Sequence, residues 1–276
     1  MNSCEIRNLT TIDELDDVRR LESKIWGQED SVPVHQTLTA VKNGGLMLGA
    51  YTEGRLSGFQ YSFPGYDGQK VYLCSHMLGT DPEVRNKGIG EKLKLAQKQE
   101  ALRMGYSLIT WTYDPLESIN GYLNIGKLGG VCSTYIENCY GDLNDLLNGG
   151  LPTDRFLVEW HITGENAHQS IHTPDRLEPL LQWELNTAGI PLPGLQEPLP
   201  KGSDGTIYVT IPSNIQHIRE KDPAAALLWR LKTREIFQEL FARGWQIEGF
   251  VKNSSTTGAV HHYGLKHKGG TGYEDR

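Results

Sequence analysis

Thr80-Asp81-Pro82-Glu83-Val84-Arg85-Asn86-Lys87-Gly88-Ile89-Gly90 is the stretch on which the fold turns. It follows an apolar run of strand length, Val71 to Leu78. It opens a segment in which Ile89, Leu93 and Ala96 recur at i, i+4 and i+7 as far as Met104-Gly105. That spacing predicts a strand, a short loop and a long helix whose N-terminus carries two glycines. Main-chain N–H groups in a first helical turn lack internal partners, and the helix dipole favours negative charge there. A missing side chain also lets an oxygen come close. Between Asp81 and Arg103, six Lys or Arg stand against four Asp or Glu, in a chain whose net charge is -7. The stretch therefore reads either as a phosphate cradle or as a glycine-rich turn at a solvated helix start.

Upstream, Leu15, Val18, Leu21, Ile25 and Trp26 recur at helical spacing, and a second helix is expected from Val34 to Lys42, entered at Pro33. Leu46 to Tyr51 and Leu56 to Tyr61 flank Glu53-Gly54-Arg55 and read as a hairpin. Downstream, Ser107 to Tyr113 reads as a strand broken by Asp114-Pro115. A short helix from Ser118 to Leu128 and strands at Val131 to Ile136 and Phe156 to Ile162 follow. Six prolines between Gly164 and Ser203 predict a linker with at most one helix, near Asp175 to Asn186. Beyond it a strand at Ile207 to Ile211, a helix capped by Asp222 with Pro223, and strands at Gln246 to Lys252 and His261 to His267 are expected. The division along the chain is thus 1–163, a linker 164–206, a β-α-β-β unit 207–268 and a frayed tail 269–276.

Of the 276 residues, 38% are hydrophobic and 22% charged, in the range of a globular protein. No run approaches the roughly 18 apolar residues of a membrane-spanning helix. The acidic balance argues against broad binding to nucleic acid or anionic lipid. Met1 to Asn8 contains no apolar core of a secretory signal, so the chain is expected in the cytosol. Cys4, Cys74, Cys132 and Cys139 form no C-x-x-C, which predicts buried reduced thiols and no metal site. Two rival glycine motifs fail on their own letters. Gly88-Ile89-Gly90-Glu91-Lys92-Leu93 has Leu where a dinucleotide fingerprint needs its third glycine. Gly121 to Leu128 has Leu where a P-loop holds magnesium with Ser or Thr.

Arg85-Asn86-Lys87-Gly88-Ile89-Gly90 resembles the Arg/Gln-x-x-Gly-x-Gly/Ala signature of the GNAT superfamily of CoA-dependent N-acyltransferases, and the element order from about Ile6 to Thr163 is similar to that family's. The resemblance implies an α/β fold, a mixed sheet with splayed central strands flanked by helices. To this the part from Ile207 adds an α/β extension resembling a partial GNAT half. It implies that Arg85, Asn86, Lys87, Gly88, Ile89 and Gly90 hold the CoA pyrophosphate. The pantetheine arm would lie between Tyr72–Thr80 and Ser107–Tyr113, and N–H groups near Met77, Leu78 and Gly79 would polarise the acyl carbonyl. Acetyl-CoA or another acyl-CoA is the implied cosubstrate, with no permanently bound cofactor.

Family members carry a Tyr that donates a proton to the leaving thiolate; in this sequence that position holds Ile125. Tyr122, three residues earlier, is either a shifted acid or a core ring. Asn120 and Asn124, spaced i, i+4, either bond CoA or face solvent. Where the family often has a Glu base, the first splayed strand offers only His76, either base or core. Asp154-Arg155 is either a substrate carboxylate clamp or a surface ion pair, and Arg230 and Arg234 read as a solvated cationic edge. The expected reaction is direct transfer of an acetyl or succinyl group to a small amine, such as an amino acid. The expected partners exclude nucleic acid and membrane, and a homodimer is admitted. The rival is a catalytically silent CoA-binding or scaffolding module.

Overall fold

The computed structural model describes residues 4–28, 31–84, 87–141, 150–164, 177–200, 202–253 and 258–269. Packing divides the chain into two compact units, Met1–Trp111 with Trp160–Asn166, and Thr112–Glu159 with Ala167–Arg276. This partition by contact runs across the consecutive division expected from the sequence.

In the first unit, β1 (Cys4–Asn8) leads into α1 (Ile12–Trp26). A reciprocal cap, Thr11 to the Glu14 N–H and the Glu14 carboxylate to the Thr11 N–H, starts the helix. Gly27, at φ 106°, ends it. Then come α2 (Val34–Lys42), β2 (Leu46–Thr52) and β3 (Arg55–Tyr66). Glu53 and Gly54 both have positive φ in the β2–β3 turn, the geometry that matches strand twist. β4 (Val71–Thr80), α3 (Ile89–Arg103) and β5 (Leu108–Tyr113) complete the run. The strands lie in the order β1-β2-β3-β4-β5, antiparallel except for the β4–β5 pair. Leu15, Val18 and Leu21 of α1 pack with Leu9, Met47, Phe59 and Tyr61 into one core. β1 is an edge strand that the sequence did not announce, because only its alternate residues are even half-buried.

The second unit holds α4 (Ser118–Gly121), which widens into a π-helical turn at Tyr122–Lys127. It also holds β6 (Val131–Ile136) and most of β7 (Arg155–His161). The expected linker instead contains β8 (Leu181–Leu185) and β9 (Pro191–Gln196), paired as a two-stranded sheet. Among the described residues each pairs with one strand only, so the prolines of β9 remove no ladder bond that a central strand would need. Residues 165–176 of that stretch lie outside the described residues. β10 (Ile207–Pro212), α5 (Ile215–Lys221), α6 (Pro223–Ala242), β11 (Trp245–Lys252) and β12 (Val260–His267) follow. Asp222 caps α6 through the Ala225 N–H, with Pro223 at the first position, as the sequence indicated. The strands run β7-β6-β11-β12-β10, all neighbours antiparallel. At the centre Phe156 meets the rings of Tyr113, Tyr135, Phe237, Phe241 and Tyr263 at 4.8 to 5.8 Å.

Among the described residues no helix is long and apolar enough to cross a membrane. All four cysteines are free thiols; only Cys132 is fully buried, and the others are half-buried, against the expectation for them.

Candidate functional site

The strand–loop–helix junction is held from below. Asp81 ends β4 with its N–H on the Ser57 carbonyl, and its nearly buried carboxylate accepts from Lys24 at 2.9 and 3.0 Å and from the Glu83 N–H. The Lys24 hydrogen bonds keep the Asp81 carboxyl below its ordinary pKa. Lys24 also reaches Glu83 at 2.9 Å. Nothing local in the sequence marks this tie, because 57 residues separate Lys24 from Asp81.

Arg85 and Asn86 lie outside the described residues. Lys87 is exposed, and Gly88 is the N-cap of α3 in the left-handed conformation, φ 73°. A Cβ on Gly88 would meet nothing within 4 Å, and one on Gly90 only Leu78 at 3.7 Å. Among the described residues, then, only Leu78 approaches the glycines of the first turn of α3, and no side chain caps it. Ile89 points inward, 4% exposed, so only its backbone faces the loop.

β4 has the second feature. Tyr61 pairs with Met77 and Ser62 with Ser75, so His76 is the extra residue of a bulge. On its other edge β4 pairs with β5 only at Leu73↔Ile109 and Cys74↔Thr110. From Ser75 onward that edge is unpaired with β5, and Met77, Leu78 and Gly79 lie along it. Gly79 is required: a Cβ there would stand 2.6 Å from Phe59 and 2.9 Å from Ile25.

His76 is not a core histidine. Its ring is exposed, with ring centres 6.0 Å from Tyr61 and 5.5 Å from Phe63. Partial loss of hydration against these rings lowers its pKa below the ordinary value, which leaves the imidazole neutral at pH 7. On the opposite face of β4, Ser75 joins a buried polar network that sequence reasoning missed. Gln60 donates to Ser62 and Ser75, Gln97 to Ser62, and Lys94 to Ser75 at 3.0 Å. The signal was present in α3, where Gln97 falls midway between Leu93 and Ala101 on the buried stripe.

The remaining expected residues belong to the second unit. Tyr122 is half-exposed, flanked by Phe250 at 6.1 Å and with Lys252 Nζ 3.5 Å from its ring centre. Because the turn is π-helical, Tyr122 and the buried Ile125 do not share a face as an α-helix would place them. Asn120 is exposed and Asn124 buried, so they are not a joint surface either.

Asp154 and Arg155 do not form the expected side-chain pair. The Asp154 carboxylate is fully buried and accepts from Tyr135 Oη at 2.5 Å, the Asn138 N–H at 3.0 Å, and Arg234 Nε and Nη2 at 2.8 and 2.9 Å. Arg155 donates to the Asp154 main-chain carbonyl, lies 3.9 Å from Asp114 and stacks 5.3 Å from the Tyr140 ring. Arg230 is fully buried on Asp114, and Arg234 also reaches Glu137. The expected solvated edge of α6 is thus an internal ion-pair network, since Tyr135 of β6, Glu137 just after it, Asp154 just before β7 and Asp114 just after β5 face it.

No family model and no curated protein matches the chain. Solved structures do. The ribosomal-protein-S18-alanine N-acetyltransferase of Escherichia coli is 16% identical over 59% of this chain and 98% of that one, with a TM-score of 0.48. A GNAT family acetyltransferase from Elizabethkingia anophelis, solved with acetyl-CoA, is 16% identical over 58% and 99%, TM-score 0.44. An N-acetyltransferase from Staphylococcus aureus Mu50 is 14% identical over 58% and 99%, TM-score 0.46. The brief parallel pairing of the fourth strand with the fifth and the glycine-capped helix between them agree with the mixed α/β sheet with splayed central strands expected from the sequence.

Proposed function

We propose that the chain is an acyl-CoA-dependent N-acyltransferase that passes an acetyl or succinyl group to the amine of a small molecule. The observation that carries this reading is the first turn of α3, where Gly88 is in the left-handed conformation with nothing among the described residues within 4 Å of its Cβ position, and Gly90 has only Leu78 at an ordinary contact distance. It is a shape for phosphate oxygens at a helix N-terminus. The unpaired edge of β4 beyond Cys74 supports it further, because the amides of a pantetheine arm need such an edge.

In this reading the acceptor amine attacks the thioester carbonyl carbon, its C–N bond forms, and the C–S bond breaks to release CoA thiolate. N–H groups at Met77 to Gly79 hold the developing oxyanion. Neutral His76 takes the proton from the amine, directly or through water, and Tyr122 returns one to the thiolate. Arg155 receives a carboxylate on the acceptor, while Asp154, already bound by four donors, holds Arg234 and the turn instead.

Calorimetry with acetyl-CoA, succinyl-CoA and free CoA, followed by thiol release against an amine panel, tests this. Binding without turnover on any amine would favour the silent CoA-binding module. His76→Ala and Tyr122→Phe should lower turnover with little change in CoA affinity, and unchanged pH–rate profiles would remove both roles. Arg155→Ala should erase a preference for free amino acids over their methyl esters; equal rates in the parent protein would exclude the carboxylate contact.

A further inference from the structure

The first unit contains a groove of about 470 Å³ lined by His35, Gln36, Thr39 and Ala40 of α2 and by Tyr61 and Phe63 of β3. That volume lies within the roughly 300–1,000 Å³ of small-molecule sites. The same two aromatic rings are the ones His76 packs against, at 6.0 and 5.5 Å. No Lys, Arg, Asp or Glu is among the lining residues. Behind Tyr61 lies Glu22, 1% exposed, with one carboxylate oxygen taken by the Val32 N–H and the other without a hydrogen-bond partner. Its charge is close enough to oppose ionisation of the Tyr61 phenol. A carboxylate entering this groove finds no Lys or Arg among the lining residues and a buried carboxyl group close to the Tyr61 wall, whereas an aromatic or alkyl group finds two rings and the methyl groups of Thr39 and Ala40.

We infer that this groove holds the apolar or aromatic side group of the acceptor amine, so that the amine nitrogen is presented at His76. The inference rests on the acyltransferase reading for its reaction, and it narrows the acceptor class to amines that carry a hydrophobic group of about phenyl size. An attached carboxylate, where the acceptor has one, lies outside the groove.

The test pairs 2-phenylethylamine with ethylamine, and phenylalanine with glycine, in thiol release from acetyl-CoA. The larger member of each pair should be favoured about tenfold or more in kcat/KM. Thr39→Trp and Gln36→Trp each fill the groove from an exposed position of α2, and the Thr39 hydroxyl bonds only to the His35 carbonyl of its own helix. Both variants should bring the ratios to within about twofold of one. Calorimetry of 2-phenylethylamine with the CoA-loaded protein gives a readout independent of turnover: it should bind to the parent and not to either variant. Binding lost in the variants with no thiol release from any amine would uphold the groove and overturn acyl transfer. Equal rates for both members of each pair, ratios that survive both variants, or no binding to the parent would overturn the groove assignment.

Discussion

Lys94 Nζ stands 3.3 Å from the centre of the Trp111 ring. Its hydrogen-bond partner is Ser75 Oγ at 3.0 Å, and Trp160 adds a second ring at 5.8 Å. The side chain is 2% exposed, and among the described residues no carboxylate pairs with it. Two aromatic faces favour a cation, yet they do not replace the hydration of an ammonium, and burial pushes its pKa well below the ordinary lysine value. The amine sits where the β4–β5 pairing ends, so a group that prefers to be neutral separates Ser75 from Trp111 at the base of the gap.

That burial predicts a stability that depends on pH. With its folded pKa below its unfolded one, Lys94 makes the unfolded chain bind the extra proton, so stability rises with pH between the two values, the upper one near 10.5. The slope contributed is about 1.4 kcal/mol per pH unit within that window. Lys94→Met should flatten it and raise the urea midpoint at pH 7. Parallel curves of stability against pH for the two proteins would show that the amine keeps its proton on folding.

Gly90→Val separates ligand effects from folding effects. A Cβ at Gly90 meets only Leu78, at an ordinary 3.7 Å, so the fold accommodates it. A ligand phosphate at the first turn of α3 does not. CoA affinity should drop tenfold or more while the melting temperature shifts by only a few degrees. An affinity within twofold of the parent would move the pyrophosphate elsewhere.

The strand–loop–helix junction was legible because its signal is local: strand, loop and helix are consecutive, and two glycines mark the helix start. The hairpin at Glu53-Gly54 and the Asp222-Pro223 cap were legible for the same reason. What escaped was carried by contacts distant in sequence. Lys24 anchors Asp81 across 57 residues, and Arg234 meets Asp154 across 80. A guanidinium on a helix edge reads as solvated until the opposing carboxylates are known. The bulge at His76 was invisible for a related reason: period-2 alternation fixes which face a residue takes only while the register is unbroken. Six prolines between Gly164 and Ser203 suggested a linker, yet edge strands accept prolines, so β8 and β9 left no contrary mark.

Asp154→Ala tests whether that carboxylate serves structure. It would leave Arg234, with a side chain 14% exposed, held among the described residues only by Glu137, and remove the acceptor of the half-buried Tyr135 hydroxyl. Breaking a buried pair on one side costs about 3–5 kcal/mol. The urea midpoint should fall accordingly, with KM for the amine unchanged in whatever fraction stays folded. A stable variant with a raised KM would return Asp154 to the substrate.

His262 gives the second unit an acid limit. It is 4% exposed on β12 opposite Thr210, whose hydroxyl donates to the Leu181 carbonyl at 2.6 Å and therefore offers a lone pair to His262 Nδ1 at 3.3 Å. Burial, with His261 alongside, lowers its pKa from 6.5 to about 4. A histidine with a depressed folded pKa contributes stability that is complete above its unfolded value and is lost as pH falls toward its folded one. Between pH 6.5 and 4 this amounts to roughly 3 kcal/mol, because stability changes by about 1.4 kcal/mol for every pH unit that separates the folded from the unfolded pKa. His262→Gln keeps a donor toward Thr210 but cannot take up the proton. Its stability, followed by urea unfolding from pH 7.5 to 4, should fall less steeply than the parent's by about that amount. The slope will not vanish, since His76 and His261 are also held below their ordinary values. If the two profiles run parallel, the acid sensitivity lies in those two histidines, and the imidazole at 262 is hydrated in solution.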